Sequence, residues 1–221
     1  MRKITPLPII QFSTLVSAEA AVAAVIGYYG TIPLIGTDFR GIAAVAGGIA
    51  AFYLLAIGAF RAIQAAAPVP IGPIAAGSRD EGRAFLYILH YLMLFNPLIF
   101  SRTMPVPLMR LVLGALGARM GRNSYSSGIM MDPQFVSVGD DTIIGNSAMI
   151  IPHVIEGSDL GFYRVRLGSR VTIGARAVIM ADVSIGDDAI VAIQSVVTKG
   201  TVIGPGEVWG GTPARCLRKP Q

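Results

Sequence analysis

Charge is scarce in this chain. Asp, Glu, Lys and Arg together make up 14% of its 221 residues, against about 25% in ordinary soluble domains. That shortage, with a mean hydropathy of +0.62, points away from a freely soluble globule and toward a membrane component. Histidine is rarer still, with only His90 and His153. Cysteine occurs once, as Cys216. A single thiol excludes an intrachain disulfide and suits a reducing compartment. No Lys/Arg block and no aromatic–basic ladder is present, and the 18 basic and 13 acidic residues are scattered. This argues against nucleic acid as a partner. Dispersed positive charge serves equally well beside anionic lipid.

What is there falls into two regimes. Residues 1–120 are rich in Ala, Leu and Ile, whereas 121–221 are rich in Gly, Val and Ile with small polar residues between. The boundary falls near Gly121. In the first half, GIAAVAGGIAAFYLLAIGAF (41–60) carries no charge. At about 1.5 Å per residue its length matches a hydrocarbon core of about 30 Å. The segment 12–36 is long enough to span too, with Glu19 inside it. An ionisable group in mid-membrane is costly, so Glu19 is expected near one end or paired within a bundle. Arg2 and Lys3 precede the first segment, and Arg61 and Arg79 follow the second. Both flanks should therefore face the cytoplasm, the two spans forming a hairpin in the inner membrane. A cleavable signal peptide is a poorer reading, because a second span follows at once. The runs 84–100, holding His90, and 103–121, holding Arg110 and Arg119, are expected to be interfacial or re-entrant helices.

The second half repeats. From Leu167 it divides into sixes without a gap: LGSRVT, IGARAV, IMADVS, IGDDAI, VAIQSV, VTKGTV, IGPGEV, WGGTPA. The first position is aliphatic from Leu167 to Ile203, glycine commonly follows, and the fifth position is small or β-branched. No helix repeats every six residues, and a period of six marks a parallel β-helix. Each six should form a short strand and a turn, three such units closing one triangular coil. The first-position side chain points inward, and glycine eases the turn. The phase reappears in VGDDTI, IGNSAM and IIPHVI (138–155), with weaker units reaching back through DPQFVS to MGRNSY at 120. Seventeen residues separate Ile150 from Leu167. One hidden repeat and about five inserted residues account for that, so a loop is expected over about 156–166, just beyond His153. His153 holds the fourth, turn position and should face outward.

Residues 120–215 resemble the left-handed β-helix acyltransferases of the hexapeptide-repeat family. LVLGALGARMGRNSY onward is similar to membrane-linked members, among them capsule acetyltransferases and peptide-synthetase terminal domains. IIPHVIEG stands where such enzymes carry a histidine followed by an acidic residue, and WGGTPARCL resembles the family's closing segment. The expected architecture is thus a membrane-embedded helical region, 1–119, followed by an all-β left-handed parallel β-helix, 120–221. The resemblance implies a homotrimer with its active site between neighbouring prisms. It implies acetyl-CoA as donor, its pantetheine arm beside Ala192 and Gln194 and its phosphates near Lys199, Arg215 and Arg176. A zinc hydratase of the same fold needs about three histidines. Two are present, one of them in the apolar half, so no metal is expected.

The expected chemistry is general-base catalysis, with neutral His153 taking a proton from an acceptor hydroxyl or amine. Glu156, three residues on, is the candidate for orienting the ring. Asn146 and Asp159 are further site candidates, and Cys216 is incidental. Membrane attachment suggests a lipid-linked sugar or glycolipid acceptor. Phe162, Tyr163, Arg164 and Arg166 would meet its head, and His90 with the aromatic helix around it would meet its tail. The alternatives are N-acylation of an amino-acid-derived acceptor and a trimeric membrane scaffold without activity.

Overall fold

The computed structural model describes residues 2–31, 37–101 and 104–220. The last residues of the first expected span, 32–36, and Thr103 at the start of the amphipathic run lie outside the described residues. The described chain divides into two compact units. One comprises 3–69 and 77–94; the other comprises 1–2, 70–76 and 95–221.

The first unit is helical. α1 (Pro6–Thr31) starts six residues before the expected span, and α2 (Arg40–Ala66) is longer than its apolar run alone suggested. They cross closely at Gly27, where a Cβ would lie 2.5 Å from the Ala44 carbonyl oxygen and 2.7 Å from Gly48 Cα. Glu19 is buried at mid-helix, and among the described residues neither of its carboxylate oxygens has a partner. The expected end-of-helix placement is not what the structure has. α3 (Arg79–His90) starts at a Ser78 cap, whose Oγ accepts the Glu81 N–H at 3.1 Å. It continues through a π turn, Tyr91–Phe95, into α4 (Asn96–Phe100). The wide turn lies just before Pro97, whose missing N–H breaks the regular ladder. The run Arg79–Phe100 is therefore a third helix long and apolar enough to cross a membrane, beside α1 and α2. The run read as short and interfacial gains length from the polar turn before it.

The second unit is a stack of three-sided coils. Five parallel strands form one face, with inward Met120, Val138, Leu167, Ile185 and Ile203 in register. A second face aligns Ser126, Ile144, Ile173, Val191 and Trp209, and the antiparallel strand Ala214–Arg218 closes it. A third aligns Met130, Ile150, Ile179 and Val197. The first-position aliphatics from Leu167 to Ile203 are all buried, as are the fifth-position Val171, Ala177, Val183, Ala189 and Ser195. Burial of each large aliphatic contributes about 1.5–3 kcal/mol, so the repeat writes its own core. α5 (Val106–Ala115) lies by the first coil, where Arg110 donates to the Gly121 carbonyl at 2.8 Å.

The turns work differently from the sequence reading. Positive φ falls at the fourth position, on Arg170, Arg176, Asp182, Asp188 and Gln194, at 56–61°. Left-handed backbone costs such residues about 1–2 kcal/mol each. Hydrogen bonds between coils offset it: Arg176 N–H donates to the Asn146 carbonyl and Gln194 N–H to that of Ala175, both at 3.0 Å. The second-position glycines serve close approach instead. A Cβ on Gly174 would sit 2.5 Å from Ile193 N.

Two departures from the period matter. The step from Val138 to Leu167 is longer by eleven positions than that from Leu167 to Ile185, although both cross one coil. The insertion is therefore larger than expected and contains no hidden repeat. It is not an open loop but a hairpin, His153–Glu156 paired with Asp159–Phe162, which satisfies its backbone internally. In the first coil the inward residues run Met120, Ser126, Met130, Val138. Steps of six, four and eight leave the coil's length unchanged but lengthen one corner, displacing the expected DPQFVS unit.

Candidate functional site

Both departures occur at the same corner, between the third face and the first. The lengthened corner holds Asp132, with φ 46°, followed by a 3-10 turn, Pro133–Phe135. Asp tolerates this left-handed conformation better than most residues. One coil further on, the chain leaves the same corner into the hairpin, and His153 is the first residue of its inner strand.

Stacking these corners brings the Asp132 carboxylate to His153 Nδ1, at 2.5 Å. Asp132 is buried, its side chain 4% exposed, whereas that of His153 is 27% exposed. With the carboxylate accepting from Nδ1–H, Nε2 is left as the ring's basic nitrogen. Burial pulls the imidazole's pKa down, but the hydrogen bond and charge of Asp132 more than reverse this and hold it above the ordinary value. Phe162, opposite His153 across the hairpin, stands edge-on to the ring at 6.4 Å and stacks on Phe135 at 5.1 Å. The result is one imidazole fixed in tautomer and orientation at a solvent-reaching edge. Such a group can take a proton from a hydroxyl or amine and return it to a leaving group.

Glu156 does not hold the ring. Strand alternation and the hairpin register carry it away, exposed and opposite Asp159 beside the turn. Spacing along the chain suggested Glu156, but in a coil the true neighbour lies one turn back, at Asp132. The signal was available: an aspartate about one coil before the histidine, followed by proline where the six-residue phase slips.

The other expected site residues fall into three places. Phe162, Tyr163 and Lys199 share the histidine corner, with Lys199 Nζ 4.6 Å from the Tyr163 ring centroid. Tyr163 N–H closes the base of the hairpin on the Pro152 carbonyl at 2.8 Å. Arg164 and Asp159 are placed on this insertion, and Arg166 points outward from the first face. Asn146, Arg176, Ala192 and Gln194 lie at the opposite edge of the third face, between it and the second. The backbone N–H groups of Ala192 and Gln194 are bonded to the Trp209 and Ala175 carbonyls, so a ligand there meets side chains and carbonyls. Arg215 lies on the closing strand opposite Gly210, with exposed Cys216 beside it. His90 belongs to the helical unit. It is buried, donates from Nδ1 to the Leu86 carbonyl at 2.8 Å and packs edge-on against Phe12. Among the described residues no cluster of three or more His, Cys, Asp or Glu is suited to a metal.

No curated protein matches the chain significantly. Solved structures do. A hexapeptide-repeat acetyltransferase from Vibrio cholerae, complexed with acetyl coenzyme A, is 28% identical over 46% of this chain and 60% of its own, with a TM-score of 0.43. A maltose O-acetyltransferase from Clostridium difficile is 24% identical over 48% and 61%, with a TM-score of 0.44. A galactoside acetyltransferase in complex with coenzyme A is 26% identical over 47% and 55%, with a TM-score of 0.41. The chain spans about three-fifths of the length of these structures. Residues 164–199 match the family described as bacterial transferase hexapeptide (six repeats).

Proposed function

We propose that this protein is a membrane-associated acyltransferase that moves the acetyl group of acetyl-CoA to a hydroxyl of an amphiphilic acceptor, a lipid-linked sugar or glycolipid. The observation that carries the reading is the buried Asp132 carboxylate on Nδ1 of partly exposed His153. A solvated surface histidine has no use for a buried counter-charge, whereas a general base gains orientation and stabilisation of its imidazolium from one.

His153 Nε2 takes the proton of the acceptor hydroxyl as its oxygen attacks the thioester carbonyl carbon. Asp132 stabilises the imidazolium formed. The tetrahedral oxyanion collapses, the carbon–sulfur bond breaks, and Nε2–H returns its proton to the departing thiolate of coenzyme A. Charge balances at each step, and no covalent intermediate with the protein is needed.

The donor-binding candidates Arg176, Ala192 and Gln194 lie at the far edge of the third face from His153. A trimer of left-handed coils resolves this, because the histidine edge of one copy meets the donor edge of the next. Two rows of side chains support such an assembly. On the second face Tyr125, Ile143, Thr172, Ile190 and Val208 point outward, four of the five apolar or aromatic, and Ile143 is 57% exposed. On the third face Met149, Val178 and Val196 do the same. The first face presents Arg119, Ser137, Arg166 and Ser184 with a single outward aliphatic, Val202, and so suits this role less well. The apolar pair α1 and α2 and the basic flanks support an inner-membrane location with the coils in the cytoplasm, where Lys199 and Arg215 would meet the donor phosphates; a two-span hairpin keeps Arg2, the 70–76 segment and the coils on one side, as their contacts require.

The test is incubation of the purified protein with labelled acetyl-CoA and a membrane lipid extract, followed by mass spectrometry of the labelled product. An ester in the product identifies O-transfer, and an amide identifies the N-acyl alternative. His153→Ala is expected to keep its coils and lose turnover by about a hundredfold or more. A product formed equally by that variant removes His153 from the mechanism, and failure of the wild-type protein to bind the donor leaves the scaffold.

A further inference from the structure

Two stretches of chain from outside the coils meet on the hairpin that carries His153. One is the strap Gly72–Pro73, which in sequence lies between α2 and α3. It pairs antiparallel with the outer hairpin strand, Gly72 opposite Phe162 and Pro73 opposite Gly161, and Ile74 N–H donates to the Leu160 carbonyl at 2.8 Å. The other is Arg2, just ahead of α1. Its Nε–H donates to the Ser158 carbonyl, at the hairpin tip, at 2.6 Å, and its Nη2 donates to the Ile74 carbonyl at 2.8 Å. One guanidinium fork thus joins the tip of the hairpin to the end of the strap.

This matters because an isolated two-stranded hairpin is marginal in water, and a third strand makes it persist. Here the third strand is the two-residue strap, too short to hold by its own ladder. The fit is close: a Cβ on Gly161 would meet the Gly72 carbonyl oxygen at 2.9 Å and Pro73 Cα at 3.3 Å. The strand gripped by the strap is the one that ends in Phe162, the ring that stands against His153. A chain of contacts therefore runs from Arg2 through the strap and the outer strand to the imidazole.

We propose that Arg2 is a positioning residue for the transfer reaction, pinning the strap to the hairpin tip and so fixing the strand pair that holds His153, by its forked geometry rather than by its charge. The inference rests on the reading of His153 as general base. It makes the segments that flank the apolar helices part of the active site's support.

The test compares Arg2→Ala, Arg2→Lys and Gly161→Val with the wild-type full chain, in vesicles of phosphatidylethanolamine and phosphatidylglycerol. Arg2→Ala is expected to lower kcat about tenfold or more, as small misplacements of a catalytic group do, while KM for acetyl-CoA stays put. Amide exchange at Ile74 and Gly161 should quicken, and the acid limb of the kcat–pH profile should drift down toward the ordinary histidine value as the Asp132 contact loosens. A lysine keeps the charge but cannot fork onto two carbonyls, so Arg2→Lys should fall near Arg2→Ala. Gly161→Val, which keeps Arg2 and expels the strap, should reproduce the same loss. Wild-type kcat in Arg2→Ala overturns the proposal, and so does full activity in Arg2→Lys, which would make Arg2 a membrane charge only. If the wild-type chain transfers nothing, the acyltransferase reading fails. The clamp is then judged by exchange alone, and unchanged protection at Ile74 and Gly161 in Arg2→Ala overturns it.

Discussion

Replacing Asp132 by asparagine isolates the charge that the proposed reaction needs. The amide is nearly isosteric, and at this buried corner it can still accept from Nδ1–H, so the coil and ring orientation are expected to survive. What is lost is attraction between the carboxylate and the imidazolium that forms as the acceptor is deprotonated. With Nδ1 and Oδ2 at 2.5 Å, the charge centres lie about 4 Å apart, worth about 4 kcal/mol at an effective dielectric near 20. The His153 side chain is 27% exposed, so water screens part of this, and about 2–4 kcal/mol is the working range. At about 1.4 kcal/mol per decade, kcat should fall roughly 30- to 1,000-fold. The pH profile supplies an independent sign. Asp132 holds the base above its ordinary value against the pull of burial. The wild-type acid limb therefore lies above about pH 6.5, activity being lost as pH falls through it. In Asp132→Asn only burial remains, and the limb should move below that point. Steady-state kinetics from about pH 5 to 9 with a fixed acceptor, beside a circular dichroism check of the fold, measure both effects. A variant within about threefold of wild type, with its acid limb unmoved, would falsify the dyad.

Two further substitutions test the scaffold. Gly174→Val places a side chain against the backbone of the next coil, 2.5 Å from Ile193 N and 2.6 Å from the Ala192 carbonyl carbon. The coils must part, and a loss of about 3 kcal/mol in denaturant unfolding is expected; wild-type stability would refute the close-approach role. Ile190→Asp puts a charge in the outward aliphatic row of the second face without touching the core. Sedimentation in detergent should show monomers with intact coils and little transfer activity, and an unchanged assembly would exclude this face from the interface.

Much of this protein can be read directly from its residues. Aliphatics at Leu167, Ile173, Ile179 and Ile185 recur every six residues because each must point inward from a strand that turns three times per coil. Local period is enough to specify such a core, since every coil buries its side chains against the next. The apolar segments around 12–36 and 41–60 declare themselves by composition in the same way, and His153 stands out by rarity and by its place at a break in rhythm. Other features depend on distance through space. That Asp132 and not Glu156 meets the imidazole follows from stacking the corners of successive coils, one lengthened and one interrupted. That the inserted residues are a hairpin, held by a strap from 72–73 and by Arg2, follows from pairing between segments remote in sequence. The raised proton affinity of His153 is likewise a tertiary property, because only folding buries a carboxylate against it. Sequence alone determined the coils, since their contacts repeat at a fixed short spacing. The tertiary structure decided the geometry around His153, since its contacts join segments that no period connects.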